Sequence, residues 1–151
     1  KVLMVSDRQP ATHVDGQYGE VISKPIADSF LSYSRYRFKV QVNPVRKEKQ
    51  TGKRVAVTGR ADIAQWFLLR ASTSWGFDVD PQTLQIDTID VQQFNDKEGR
   101  KITLGKAHIQ GMLTVSDQQQ FRNSFKNGIG KGRAFGCGLL QIVPVIDNPF
   151  A

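Results

Sequence analysis

The apolar positions change period several times along the chain, and each change marks an element. Across residues 32–42, Tyr36, Phe38, Val40 and Val42 hold one parity and Arg35, Arg37, Lys39 and Gln41 the other. Period two with aromatic and β-branched residues predicts a half-buried strand with a basic outer face. Asn43-Pro44 ends its regular pairing. Residues 46–54, with Thr51-Gly52 at the tip, read as a charged hairpin, and residues 53–58 as its returning strand. Over 59–74 the period becomes helical: Ile63, Trp66, Phe67 and Arg70 share a face that Leu68 and Leu69 widen. Residues 84–94 alternate again, with a parity change after Thr88 that predicts a bulge. A turn at 95–99 leads into a long strand over 102–115, interrupted by Gly105 and Gly111. Ser116 or Asp117 caps a short helix reaching Lys126, with Phe121 and Phe125 on its inner face, and Asn127-Gly128 stops it. A glycine-rich loop then enters an apolar strand over 139–145. Upstream, residues 2–5 read as a short strand, and 11–31 as a linker with at most one more.

The order β, hairpin, α, β, β, α, β predicts an α+β fold, a ferredoxin-like (RRM-like) βαββαβ unit with an inserted basic β-hairpin. Its sheet is expected to be antiparallel, with two helices on one face. A length of 151 residues fits one domain, with at most a fragment of another. No apolar run approaches the ~18 residues of a membrane span, and no basic-then-apolar leader opens the chain. A single cysteine, Cys137, excludes an internal disulfide and a cysteine-rich zinc site. The expectation is a cytoplasmic protein with no membrane contact, no metal and no cofactor.

Charge adds what periodicity cannot. Residues 35–54 hold eight basic side chains, Arg35, Arg37, Lys39, Arg46, Lys47, Lys49, Lys53 and Arg54, against the lone acid Glu48. That window equals the whole net charge of +7. A ribbon so loaded suits the phosphate backbone of a folded nucleic acid, although lysines on an edge strand also serve simply to prevent aggregation. Residues 100–133 form a second basic stretch, seven cations against Asp117 alone. Two basic surfaces are therefore expected, at separate places.

The loop over 128–138 carries five glycines, Gly128, Gly130, Gly132, Gly136 and Gly138, with Lys131 and Arg133 among them. Consecutive N–H groups freed of Cβ atoms can cradle an anion, and the two cations reinforce that reading. The loop follows a helix and precedes a strand, so it is neither a Walker loop nor a dinucleotide fingerprint. A helix cap with a tight turn is the simpler alternative. His13 and His108 stand alone, without a partner at metal-ligand or triad spacing. Cys137, between two glycines, reads as a small buried residue. Trp66, Trp75, Tyr36 and Phe38 fit the core; Tyr33 is left open between core and base stacking.

The segment from Gly111-Met-Leu-Thr-Val-Ser-Asp to Gly128-Ile-Gly-Lys-Gly-Arg-Ala-Phe-Gly-Cys-Gly-Leu-Leu-Gln-Ile-Val-Pro resembles the end of the CasE subunit of type I-E CRISPR systems. Its loop is similar to the glycine-rich motif of the RAMP superfamily. Arg35-Tyr-Arg-Phe-Lys-Val-Gln-Val-Asn-Pro-Val and the basic hairpin after it resemble that family's strand and RNA-binding hairpin, and the Trp66 region its following helix. The likeness runs over nearly all of residues 32–145. It implies an endoribonuclease of two tandem ferredoxin-like domains that cuts the repeat stem-loop of precursor CRISPR RNA. It also implies metal-independent attack by a 2′-OH to leave a 2′,3′-cyclic phosphate, and retention of the product within the multi-subunit Cascade complex. On this reading residues 1–31 are the last strand of an N-terminal domain and a linker, and 32–151 the C-terminal RNA-binding domain. The family's catalytic histidine and tyrosine are then expected upstream of Lys1, and neither His13 nor His108 takes that role. A non-catalytic RNA-binding module and a small-molecule regulatory domain are the competing readings. The second of these leaves the basic hairpin unexplained.

Overall fold

The computed structural model describes residues 2–10 and 19–146; His13 lies outside them. Among the described residues, seven strands and two helices follow in the order β1 (Arg35–Val42), β2 (Val45–Lys47), β3 (Arg54–Ala56), α1 (Arg60–Arg70), β4 (Phe77–Val79), β5 (Gln85–Asn95), β6 (Lys101–Val115), α2 (Gln118–Asn127) and β7 (Gln141–Pro144). The main sheet is antiparallel, ordered β4-β6-β1-β7, with β5 also on β6. β2 and β3 form a separate two-stranded ribbon. Mixed α/β, with an antiparallel sheet and two helices, is thus the observed class.

The alternation in β1 sets the layers. Tyr36, Phe38, Val40 and Val42 are buried, while Arg35, Arg37 and Lys39 are exposed on the opposite face. The buried row meets Ile63 and Phe67 of α1 and Phe121 and Phe125 of α2 in one core. Phe38 stacks on Phe67 with centroids 5.6 Å apart, and Tyr36 lies 5.1 Å from Phe121. Each fully buried side chain of this size contributes about 1.5–3 kcal/mol of transfer free energy. Leu69, expected on the apolar face of α1, is 64% exposed. At 3.6 residues per turn it falls beyond the Ile63–Phe67 stripe.

Both helices follow their local chemistry. α1 carries two Ala and two Leu, with Asp62 in the first turn and Arg70 in the last, where each complements the helix dipole. It continues as a single π turn, Ala71–Trp75. α2 is capped by Asp117, whose carboxylate accepts the Gln119 and Gln120 N–H groups at 3.1 Å.

Three expectations change. Residues 2–6 form no ladder, and Val2 and Met4 are 85% and 78% exposed; a strand needs a partner, and none is supplied among the described residues. The linker before β1 holds a 3-10 turn, Asp28–Leu31, and Leu31 sits in the core. β4 was not anticipated, because three residues are too few to show a period; it pairs with the end of β6 and buries Phe77 and Val79. The bulge, expected after Thr88, falls one residue earlier, at Asp87 between Ile86 and Thr88. Beyond it β5 and β6 run on as a ribbon, closed by a turn where Asp96 accepts the backbone N–H groups of Glu98 and Arg100 and the Arg100 side chain. Those bonds hold its carboxyl below the usual value, the Arg100 N–H first among them.

Tyr36 ties the 3-10 turn to the sheet. Its hydroxyl donates to the Phe30 carbonyl at 2.7 Å and accepts the Tyr33 N–H at 3.1 Å. Burial holds the phenol above its ordinary value of 10.0. Tyr36→Phe strands both partners and should lower unfolding free energy by about 1–3 kcal/mol, read as a lower urea midpoint at unchanged slope. A phenol with a raised folded-state pKa contributes stability that is complete below pH 10 and lost as pH rises through the folded value. The wild-type advantage over Tyr36→Phe should therefore shrink above pH 10, and a constant gap would refute the account.

Candidate nucleic-acid interface

The outer row of β1 lies on the sheet face away from the helices. Successive outward side chains stand about 6.6 Å apart. Arg37 sits between Met112 and Val143 in the neighbouring strands, and Lys39 between Gln110 and Gln141, so neither meets a carboxylate in register. His108 is exposed on the same face, in register with Gln41. Among the described residues no group of His, Cys, Asp or Glu is placed to hold a metal ion.

The β2–β3 ribbon leaves β1 at Asn43-Pro44. Arg46, Lys47, Lys49, Lys53 and Arg54 are all exposed. Lys47 and Arg54 are directly opposite in the ladder, where like charges repel. The single acid, Glu48, accepts a hydrogen bond from Thr51 Oγ1 at 2.9 Å and so serves the turn. The ribbon is fixed at its base: Trp66 Nε1 donates to the Val45 carbonyl at 2.9 Å, and the Val57 N–H to the Pro44 carbonyl at 3.0 Å. A rigid base under a row of mutually repelling cations is an arrangement that a polyanion relieves.

The glycine loop wraps around the end of the sheet beside that base. Its first part lies near Trp75, on the helix side. Its middle meets β1 through a bridge between Asn43 and Lys131. Its end lies on the outer face, where Gln41 Nε2 reaches Cys137 Sγ at 3.8 Å and the Gly138 N–H donates to the Gln41 carbonyl at 2.7 Å. The base of the ribbon and the middle of the loop are therefore linked at Asn43. Asn43 and Trp66 build this junction. Neither was singled out for it by the sequence, since both act across long chain separations.

The loop's N–H groups are largely used within the fold. Ile129 donates to Gly138, Phe135 and Cys137 to Gly132, and Gly136 to Arg133. Arg133, although exposed, is also engaged by the loop, giving Nε to the Gly130 carbonyl at 3.2 Å and Nη1 to that of Asn127 at 3.0 Å, where it satisfies the end of α2. Lys131 is exposed. The glycines thus shape a clasp that positions cations, in addition to any direct contact with an anion. All five have positive φ.

Gly138 and Gly136 separate two demands on that clasp. A Cβ on Gly138 would stand 2.5 Å from the Ile129 carbonyl oxygen at φ +97°, whereas one on Gly136 meets open space at φ +84°. Gly138→Ala should cost well over the ~1 kcal/mol of a left-handed alanine, and Gly136→Ala about that much. Paired thermal melts measure both, and equal shifts would refute the steric argument.

A family model described as CRISPR associated protein matches residues 1–144. The CRISPR-associated endoribonuclease Cse3 of Thermus thermophilus is 30% identical over 141 residues, which is 87% of this chain and 66% of that protein. The fold is that of Cse3 solved bound to a 19-nucleotide RNA, with TM-score 0.75 and 27% identity over 87% of this chain and 66% of the other. It is also similar to a chain of a CRISPR RNA-guided surveillance complex, with TM-score 0.55 and 25% identity over 74% of this chain and 57% of the other. This chain spans just under two thirds of the length of these relatives. A family match along almost its whole length, with the same fold behind it, means that the chain belongs to the CRISPR-associated protein family.

Proposed function

We propose that the chain is the RNA-gripping part of a CRISPR RNA-processing endoribonuclease of the CasE type. The observation that carries the proposal is the line of exposed cations that runs along the outer face of β1 and out into the ribbon. The base of that ribbon is also where the glycine loop arrives, through the bridge between Asn43 and Lys131. Its ligand is the repeat stem-loop of precursor CRISPR RNA. The ribbon engages the stem while Arg35, Arg37 and Lys39 neutralise phosphates beside it. Arg133 has a different part: its bonds to Gly130 and Asn127 make it a support for the loop that presents Lys131.

The finer architecture follows the same reading. The order β7-β1-β6, with β4 and β5 both on β6, supports reading the unit as ferredoxin-like βαββαβ with a split second strand. The basic ribbon is its insertion after the first strand. Residues 1–31 are the tail of a preceding domain with its linker, and residues 32–151 the RNA-binding domain. The catalytic histidine and tyrosine belong to that preceding domain. The 2′-OH next to the scissile phosphate loses its proton to a base and attacks phosphorus in line. The 5′-oxygen leaves and takes up a proton, and a 2′,3′-cyclic phosphate remains. No metal or cofactor enters this scheme. The product stays bound, with other Cascade subunits as partners in the cytoplasm.

The test is a binding and cleavage assay with EDTA present, using this segment and a longer chain that carries the preceding domain. The segment should bind a repeat hairpin weakly without cutting it, and the longer chain should cut. Binding without cutting by both would favour a non-catalytic RNA-binding module. In the longer chain, Lys47→Gln with Arg54→Gln should lower affinity about 10- to 100-fold in low salt. The same pair should reduce the slope of log affinity against log salt by one to two, roughly one for each phosphate no longer neutralised. Unchanged affinity and slope would remove the ribbon from the interface.

A further inference from the structure

A cleft of about 480 Å³ opens on the helix side of the sheet, away from the outer row of β1. Three segments line it: the end of α1 with its π turn (Arg70, Ser74), α2 (Gln120, Asn123, Asn127) and the glycine loop (Gly128, Gly130, Lys131, Arg133). Its cations come from both sides, Arg70 from α1 and Lys131 and Arg133 from the loop, and no carboxylate lies among the lining residues. Two of them are held in place. Arg70 lies with its guanidinium carbon 6.0 Å from the centre of the Trp75 ring, and Arg133 is fixed by the Gly130 and Asn127 carbonyls. Side chains ordered before binding lose little further entropy when an anion arrives. Three neighbouring cations without a counter-charge also repel one another until one does.

The geometry points to a second RNA site in this cleft, one that takes the sugar-phosphate backbone of a single strand leaving the stem. This inference rests on the RNA-gripping function proposed above. The cleft has the volume of a small-ligand pocket, enough for a nucleotide or two and far too little for a duplex. The bridge between Lys131 and Asn43 sets this end of the cleft beside the base of the ribbon, so a strand passing the hairpin base can reach it. Arg70 and Lys131 meet the phosphate. The amides of Asn123, Asn127 and Gln120 are donors and acceptors suited to ribose hydroxyls or base edges. Arg70 takes a role that its place in the helical pattern did not indicate, because the last turn of α1 carries it out of the core and over Trp75.

The experiment compares two RNAs, the bare repeat stem-loop and the same stem-loop with about six flanking nucleotides on either side, a length within single-strand site sizes. The full-length polypeptide is used, as wild type, Arg70→Gln, Asn123→Asp and Arg54→Gln. Wild type should bind the flanked RNA more tightly. Arg70→Gln should lose that increment, about 3- to 10-fold, with a salt slope smaller by about 0.7, the single-strand value for one phosphate, and should bind the bare stem as wild type does. Asn123→Asp puts a carboxylate in the cleft without touching Arg70 or Trp75 and should lose the same increment. Arg54→Gln should weaken both RNAs equally. Arg70→Gln and Asn123→Asp binding the flanked RNA like wild type, or weakening both RNAs equally, would overturn the second site. Failure of wild type to bind either RNA would instead overturn the RNA-gripping function itself.

Discussion

The alternation of side chains along β1 is the constraint on which the rest of the molecule depends. β1 runs between β6 and β7 and can bury only one of its faces in the helical layer. Its aromatic and β-branched parity takes that face and forms the floor on which α1 and α2 pack. The other parity is thereby committed to the open face, and it is basic. A register slip of one residue would exchange the two, placing three cations in an apolar core. Core packing therefore enforces the basic surface. The two are not independent features.

The segment after β1 exploits that commitment. The chain leaves the sheet at Asn43-Pro44 in a ribbon whose opposed Lys47 and Arg54 gain nothing from each other. The ribbon holds its place through the Trp66 indole and the Val57 N–H, both on its neutral base. The glycine loop reaches the same corner from the far end of the chain. It passes from the helix side to the outer face through backbone conformations that other residues reach only with strain, and it spends five of its N–H groups on itself and on Gln41. A surface that concentrates like charge needs neutral scaffolding of this kind, because charge–charge attraction is not available to shape it.

Much of the fold could be read from periodicity. The β1 strand, the ribbon tip at Thr51-Gly52, the Asp117 cap and the long β5–β6 hairpin all rest on interactions within a few residues or on a repeated pattern. The failures share a cause. Residues 2–6 have a strand's composition but no partner among the described residues, and β4 has a partner but too few residues to show a pattern. Both outcomes depend on what lies next to the segment in space. The same holds at the site. The hairpin cations were legible as a cluster, whereas the bonds of Arg133 to its own loop and the exposed place of Arg70 were not.

By itself, then, the sequence determined which residues are charged, which parity of β1 is buried, and that two stretches concentrate cations, because composition and local periodicity are carried by the chain alone. Only the tertiary structure decided that those stretches meet at Asn43, that one loop cation supports the backbone while its neighbour faces outward, and that a third from α1 joins them across a cleft. Contacts of that kind link residues dozens of positions apart, and their geometry is set by helices packing on one face of a sheet.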